Sequence, residues 1–278
     1  MARLINPSKY YSNEEWAHSN NFNYAIAEKE RENATALENE IDRLIDETNK
    51  RTDNTLADVN KKLDQRLNDI KFWKDEINKK LSDLTDETKQ LDQCIPRLIK
   101  ALEATDEPLH FAEQCVLNRE GRKGIDLVSD DAHKNLLKEI DIYTTVQDLL
   151  KKCIEQADEQ IRLNRKSIYI LKKDSTDKLE AQHIEEYGRN LKTNHEVREE
   201  GKSFTPEEWQ NSAADRVLSA DSQIKNSRDL RSTLDGTLQQ VATDQRNQVE
   251  ATNLALAKRI SETRNAKGEL EEHLALLK

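Results

Sequence analysis

The sequence predicts an all-α protein, an elongated coiled-coil rod of long helices joined by short loops. Three observations predict this class. Charged residues make up 35% of the 278 residues and aromatic residues only 5%, which leaves too few core-forming side chains for a large globule. Only 6 Gly and 4 Pro interrupt the chain, too few for a disordered protein. Apolar residues also recur at seven-residue intervals, as they do in coiled coils.

The first long helix is predicted over residues 12–106, after an N-terminal tail over residues 1–11. Ser12 can cap this helix, because its hydroxyl reaches the N–H of Glu15 while the Glu15 side chain reaches back. Pro96 lies inside the pattern and predicts a kink near residue 92. The seam consists of a row at intervals of seven and a second row four residues further on: Leu56, Leu63, Ile70, Ile77, Leu84, Leu91 and Leu98, with Leu67, Leu81, Ile95 and Leu102.

A connector loop is predicted over residues 107–128, since it contains Pro108 and two glycines, and a second, shorter coiled-coil helix over residues 129–178. Ser129 or Asp130 can cap the second helix. Asn164 lies within its seam, where it either fixes the register of the helices or is simply tolerated. The two rows of this helix are Leu136, Tyr143, Leu150, Ala157, Asn164 and Leu171, and Ile140, Ile154, Ile161 and Ile168.

A linker into which the second helix can extend is predicted over residues 179–204, followed by a third helix over residues 205–278. Thr205 and Glu208 form a second capping box, with Pro206 at the favoured first position. The apolar residues of the third helix are interrupted by polar stretches: Ala220, Ile224, Leu234, Leu238, Val241, Val249, Leu256, Ile260, Leu270, Leu274 and Leu277.

The chain contains an internal repeat. Ser12-Asn13-Glu14-Glu15-Trp16 returns as Thr205-Pro206-Glu207-Glu208-Trp209, an offset of 205 − 12 = 193 residues. A fixed offset is typical of a modular protein. The same offset aligns Leu37 with Leu230, Ile41 with Leu234, and Ile45 with Leu238. The third helix is therefore interpreted as the start of a second repeat, and the chain is predicted to be truncated within it.

The helix lengths leave apolar residues without a partner. The second helix can cover only about half of the first, so the row Leu37, Ile41, Leu44 and Ile45 must be covered by a missing part of the chain, a second molecule or another protein. We therefore predict self-association. The third helix lacks its own partner helix in this chain, so its apolar row is also predicted to find one elsewhere.

Charge and hydropathy exclude several classes of partner. A net charge of −10 disfavours binding to nucleic acid and to anionic membranes. No apolar run approaches the ~20 residues of a membrane span, and the N-terminus has no signal-peptide core, which predicts a cytoplasmic protein. Cys94, Cys115 and Cys153 have no metal-binding spacing and are interpreted as reduced thiols, with a regulated or intermolecular disulfide as the alternative.

No catalytic, cofactor-binding or metal-binding residue is predicted, and the chain is not expected to be an enzyme. His183-Ile184-Glu185 matches the His-x-Glu of zinc deaminases, but the required Pro-Cys-x-x-Cys is absent. The segment 121–124 contains two glycines but lacks the Gly-Lys-Ser/Thr ending of a phosphate-binding loop. The basic residues Arg119, Arg122 and Lys123 either meet an acidic partner surface or form a solubilising loop.

Several sequence segments resemble segments of the tektin family and follow the same order along the chain. They are Asp58-Val59-Asn60-Lys61-Lys62-Leu63-Asp64-Gln65-Arg66-Leu67, Phe72-Trp73-Lys74, Arg97-Leu98-Ile99-Lys100-Ala101-Leu102-Glu103, Glu107-Pro108-Leu109, Gly124-Ile125-Asp126-Leu127-Val128 and Glu159-Gln160-Ile161-Arg162-Leu163-Asn164-Arg165. The family's nonapeptide Arg-Pro-Asn-Val-Glu-Leu-Cys-Arg-Asp is absent, and Cys115 with Arg119 and Glu120 is its faint counterpart in the first half.

The resemblance implies two related halves, which agrees with the 193-residue offset. It also implies a filament-forming protein that stabilises the doublet microtubules of the ciliary and flagellar axoneme. Its partners would be tubulin in the microtubule wall, other axonemal proteins, and other tektins or further copies of this chain. Two alternatives remain, a general cytosolic spectrin-like coiled-coil scaffold and a membrane-curving helical dimer, and the acidic charge disfavours the second.

Overall fold

The computed structural model describes residues 9–190 and 204–277, and over these residues all regular structure is helical. Helix α1 spans Asn13–Asp92, α2 spans Cys94–Glu120, α3 spans Asp131–Arg189 and α4 spans Pro206–Leu276. A single 3₁₀ turn, Gly124–Asp126, lies between α2 and α3. The predicted all-α class of long helices joined by short loops is confirmed.

The predicted helix starts are confirmed by their hydrogen bonds. The Ser12 N–H donates to Glu15 Oε2 at 2.8 Å, and the Glu15 N–H donates to Ser12 Oγ at 3.2 Å. The corresponding distances at Thr205 and Glu208 are 2.9 and 3.2 Å. The hydrogen bond from the Thr205 backbone N–H also lowers the pKa of the Glu208 carboxyl. Of the two candidate caps of α3, Asp130 is the one used, since its Oδ1 accepts from the His133 N–H at 2.9 Å.

The first helical segment is interrupted next to the position where Pro96 predicted a kink. Helix α1 ends at Asp92 and α2 begins at Cys94, with Gln93 as a single turn residue between them. Pro96 has no N–H to donate to the Asp92 carbonyl, which removes one bond of the helical ladder. Gln93 keeps a right-handed helical conformation, with φ −70° and ψ −17°, so the interruption is local.

The connector begins later than the predicted residue 107. Helix α2 passes through Pro108 and continues to Glu120, which leaves residues 121–130 as the connector. In the sequence, Pro108 predicts a helix end. However, the buried seven-residue series continues past it, with Thr105 1% and Ala112 0% exposed. Packing of this face therefore outweighs the one hydrogen bond that Pro108 removes.

The second helix extends beyond its predicted end at residue 178. Helix α3 continues to Arg189, so the extension allowed for in the sequence analysis is present. The rest of the predicted linker, residues 191–203, lies outside the described residues.

The chain divides into two units, which are described separately. Unit 1 comprises residues 1–68 and 188–190, and unit 2 comprises residues 69–187 and 191–278. In unit 1, the described part of the chain is mainly the first part of α1, and every side chain over residues 21–62 is exposed. The Arg189 Nε lies 2.9 Å from Asp64 Oδ1 and forms an ion pair within this unit.

Unit 2 contains an antiparallel hairpin. The end of α1 pairs with the end of α3, where the Lys74 Nζ donates to Gln182 Oε1 at 2.7 Å. At the other end, the Gln147 Nε2 on α3 donates to Asp106 Oδ1 on α2 at 2.8 Å. Residue numbers rise on one side of the hairpin as they fall on the other, so α3 runs antiparallel to α1 and α2.

Helix α4 completes a three-helix bundle. It runs parallel to α1 and α2, because the Lys80 Nζ lies 2.8 Å from Asp221 Oδ1 and the Arg97 Nη1 lies 2.7 Å from Asp235 Oδ1. The prediction that the third helix finds its partner elsewhere is therefore wrong for most of its length. The buried residues of α4 are Ala213, Ala220, Ile224, Ser227, Leu234, Val241 and Thr252. The prediction failed because several of these residues are small or polar and do not stand out in the sequence.

The core of unit 2 is formed by the predicted seams. All five members of the first row that lie in this unit are fully buried: Ile70, Ile77, Leu84, Leu91 and Leu98. The first predicted row of α3 is buried as well, from Leu136 to Leu171 in steps of seven. The second predicted row is confirmed in part. Ile161 is buried, and Ile154 and Ile168 pack partly buried against the core. However, α3 also buries Ala132, Glu139, Val146, Cys153 and Asp174, which the row did not include. Apolar size alone missed these side chains, because most of them are small or polar.

Candidate functional site

The described residues hold no group of three or more His, Cys, Asp or Glu side chains arranged to bind a metal ion. His183, from the His-x-Glu match, lies exposed on α3. No helix within the described ranges is both long and apolar enough to cross a membrane. The candidate sites described below are surfaces and interhelical clusters.

The three cysteines are free thiols in different surroundings. Cys94 and Cys153 are buried in the same apolar cluster of unit 2, and Cys115 is only partly exposed. Burial raises the pKa of the Cys94 and Cys153 thiols. Because the thiolate is the reactive form, this environment makes both side chains inert core residues.

The apolar row of unit 1 is open to solvent. Leu37 is 62% exposed, Ile41 46%, Leu44 48% and Ile45 51%. With 100° of rotation per residue, these four side chains fall within one face of α1. The opposite face carries polar residues such as Glu32, Asn39 and Asp46.

The repeat shows what this row does when it has a partner. The aligned residues of α4 are Leu230, Leu234 and Leu238. Leu234 is 1% exposed within the core of unit 2, and the other two pack against that core. The same pattern is therefore covered in one copy and exposed in the other. The row in unit 1 has the composition of a helix-packing surface.

The two tryptophans of the repeat also differ in their surroundings. Trp209 is partly buried, and the Lys178 Nζ lies 4.9 Å from the centre of its ring, which is a cation–π contact. Trp16, in contrast, is 69% exposed. In unit 2 the tryptophan covers a neighbouring helix, whereas in unit 1 the equivalent ring faces solvent.

A buried polar cluster joins α3 to α4. Asn164 is fully buried, and its Nδ2 donates to Ser227 Oγ at 2.8 Å. The Gln160 Nε2 donates to Asn164 Oδ1 and to Gln223 Oε1, both at 2.9 Å. Both polar atoms of the Asn164 amide are therefore hydrogen bonded. The seam asparagine has a specific partner on the neighbouring helix, which favours its role in fixing register over simple tolerance.

A second cluster is ionic. The Lys178 Nζ lies 2.8 Å from Asp174 Oδ1 on the same helix, and both side chains are almost completely buried. The Arg216 guanidinium of α4 also pairs with Asp174. Because a buried charge is costly unless it is paired, these contacts hold α4 against α3 at one position.

Glu87 forms a similar ionic contact between α1 and α4. Its side chain is 4% exposed, and its carboxylate lies 3.1 Å from the Arg231 Nε and 3.4 Å from the Arg228 Nε. Burial of Glu87, Asp174 and Lys178 was not predicted from the sequence. Charged residues in a sequence with 35% charge carry no signal of burial on their own.

The connector is held by the first two of the three predicted basic residues. Arg119 is largely buried and pairs with Asp130, the cap of α3. The Arg122 side chain donates to the Arg119 carbonyl at 2.8 Å and to the Val128 carbonyl at 3.1 Å, whereas Lys123 is exposed. Burial raises the pKa of Asp130, but the His133 N–H and Arg119 outweigh it and hold this pKa below its usual value.

Comparison with known proteins relates this chain to one family. A family model described as Tektin family matches residues 16–278. Tektin-4 from Xenopus laevis is 35% identical over 272 residues, which cover 95% of this chain and 61% of the relative. The chain therefore spans about three-fifths of the length of that relative.

Proposed function

Because the chain belongs to the tektin family, a family of structural proteins, we propose that it forms filaments in the doublet microtubules of cilia and flagella. In this role it stabilises the axoneme through coiled-coil assembly. The observation that carries the proposal is the family match, which extends over residues 16–278. A general spectrin-like scaffold would account for the seams but not for this match.

The proposed mechanism is mechanical rather than catalytic. Unit 2 supplies a packed three-helix bundle whose register is set by buried polar and ionic contacts. Unit 1 supplies an apolar row that associates with a second tektin chain. Each of its four side chains is about half exposed, so covering it contributes about 1 kcal/mol, or about 4 kcal/mol for the row.

This amount is small beside the entropic cost of association, so contacts at several places along a filament must combine. The proposed partners are other copies or other tektins, other axonemal proteins and the tubulin wall. Since the chain has a net charge of −10, contacts with acidic partners rest on local patches and shape. No nucleic-acid, membrane or enzymatic role is proposed.

Expression of a tagged chain in ciliated cells tests the proposed function. We expect the protein to incorporate along the axoneme and to remain there after detergent extraction. The variant Leu37→Ser/Ile41→Ser/Ile45→Ser should incorporate poorly, because its row no longer buries apolar surface. The matched variant Glu32→Ser/Asn39→Ser/Asp46→Ser, which changes the opposite face, should incorporate normally. Absence of the unmodified chain from axonemes would contradict the proposed function.

A further inference from the structure

Unit 2 carries a groove between the connector and the last part of α4, here called the connector groove. Its volume is about 480 Å³. Arg119 at the end of α2 and Arg122 in the connector line one side, and α4 contributes Arg259, Arg264 and Lys267. Five basic side chains thus line one groove of a chain whose net charge is −10.

The sequence alone indicates the basic residues Arg119, Arg122 and Lys123 but not those of α4. The parallel packing of α4 against α2 brings the two sets together. This packing is visible at the same end of the bundle, where the Arg259 Nε lies 3.3 Å from Asp130 Oδ2, the carboxylate that also pairs with Arg119. A separation of 140 residues in the sequence hides this arrangement.

The positive charge of the groove is only partly compensated. Asp126 is the one acidic residue among those that line it. Arg119 and Arg259 share Asp130, Arg259 also pairs with Glu262, and the Lys267 Nζ lies 3.6 Å from Glu271 Oε1. The Arg122 side chain is bonded to carbonyl oxygens, which carry no net charge. Within the described residues, no carboxylate lies in ion-pairing distance of Arg122 or Arg264. Arg122 and Arg264 therefore remain uncompensated cations that favour carboxylates.

The groove also offers apolar contacts. Leu256 and Ile260 of α4 line it, and Ile260 is 50% exposed. On the connector, Ile125 is 96% exposed, directly beside Asp126. Gly124 precedes it with a φ of +61°, a conformation that other residues adopt only with strain. The backbone thus holds an isoleucine in solvent beside a basic groove, where it gains nothing for folding.

We propose that the connector groove binds a short acidic segment of another protein, one that carries an aliphatic side chain among its carboxylates. Arg122 and Arg264 pair with the carboxylates, and Lys267, whose ion pair with Glu271 is exposed to solvent, adds to the attraction. Ile125, Leu256 and Ile260 contact the aliphatic group. This surface lies in unit 2, and the inference does not depend on the apolar row of unit 1.

Charge and composition favour a protein segment over other anions. A long nucleic acid or an anionic bilayer would extend beyond this patch onto a chain that is acidic overall. The residues that line the groove include no aromatic ring on which a base could stack. Aliphatic contacts beside arginines suit a peptide with both carboxylates and leucines.

The test is fluorescence anisotropy with the full 278-residue chain and a labelled peptide in which leucines are spaced among glutamates. Three probes serve for comparison: an all-glutamate peptide of the same length, a single-stranded oligothymidylate of the same charge, and vesicles that contain phosphatidylserine. We expect the leucine-containing peptide to bind most tightly and to weaken with added salt. No binding of that peptide, or equally tight binding of the oligonucleotide or the vesicles, would overturn the proposal.

Two variants locate the binding. Arg264→Glu/Lys267→Glu reverses two exposed charges of the groove and should raise the Kd by at least about tenfold at low salt. The matched control Lys225→Glu/Arg246→Glu reverses two exposed charges elsewhere on α4 and should leave the Kd unchanged. An equal loss of affinity in both variants would show nonspecific attraction and reject the groove.

Ile125→Ser provides an independent readout, because this side chain is almost fully exposed and its replacement does not disturb packing. It should raise the Kd of the leucine-containing peptide about fivefold and leave that of the all-glutamate peptide unchanged. An unchanged Kd for the leucine-containing peptide would remove the aliphatic contact from the proposal and overturn it.

Discussion

The buried pair of Asn164 and Ser227 allows a sharp prediction about how α3 and α4 are held together. Both residues are fully buried, and they are joined by a hydrogen bond of 2.8 Å. Asn164→Ala removes this bond and the bond from Gln160, and each contributes about 1 kcal/mol net. It also leaves the Ser227 hydroxyl buried without that partner, at a cost of about 1–3 kcal/mol. We expect a loss of about 2–4 kcal/mol in the free energy of unfolding.

Removing both partners should cost much less than removing one. In Asn164→Leu/Ser227→Ala an apolar side chain of similar size replaces the amide, and no hydroxyl is left without a partner. We expect the free energy of unfolding to lie within about 1 kcal/mol of the unmodified value. Register should nevertheless be less well specified, so amide hydrogen exchange in α4 should be faster at similar stability.

The assay is urea unfolding followed by far-UV circular dichroism. Asn164→Ala, Ser227→Ala and Asn164→Ala/Ser227→Ala form a double-mutant cycle, and Asn164→Leu/Ser227→Ala is measured in parallel. The coupling free energy from the Ala cycle should be clearly different from zero, because the two residues are hydrogen bonded directly to each other. If Asn164→Leu/Ser227→Ala is as unstable as Asn164→Ala, cavity or packing effects dominate and the hydrogen-bond reasoning is refuted.

Two further predictions concern the buried seam of α1 and the cap of α3. Ile77→Ala should lower the free energy of unfolding by about 2–5 kcal/mol, because the Ile77 side chain is fully buried. The control Leu56→Ala should lower it by less than about 1 kcal/mol in the same assay, because the Leu56 side chain is 53% exposed. The pKa of Asp130 is lowered on folding, so its contribution is complete above its ordinary value of 3.8 and is lost as pH falls through the lower folded value. Asp130→Asn, which retains the helix cap but not the charge that pairs with Arg119, should therefore be less stable than the unmodified chain at neutral pH. The difference should shrink below about pH 4, and a difference independent of pH would contradict the ion-pair account.

The sequence was sufficient to predict elements whose signal is local. Capping boxes at Ser12 and Thr205 involve residues three apart, and the structure contains both of them. The seven-residue row that includes Ile70 and Leu98 was also readable, since large aliphatic residues at heptad spacing have one stable arrangement. The sequence also indicates that Asn164 is a polar residue within an apolar row, but it does not indicate that Ser227 is its partner.

Features that depend on tertiary contact could not be read in the same way. The helix continues through Pro108 because Thr105 and Ala112 extend the buried face, and neither residue has strong hydrophobicity. Helix α4 packs through Ala213 and Ala220, small residues that permit close approach but resemble surface positions in a sequence. The charged core residues and the basic groove arise only when helices distant in sequence are brought together.

The apolar row of unit 1 is the central element of the proposed assembly, and sedimentation equilibrium tests it most directly. The chain has a mass of 32.2 kDa, and we expect the weight-average mass to rise above this value with concentration. Leu37→Ser/Ile41→Ser/Ile45→Ser should remain at the monomer mass over the same range, while Glu32→Ser/Asn39→Ser/Asp46→Ser should behave like the unmodified chain. A monomer mass of the unmodified chain that does not change with concentration would contradict the account.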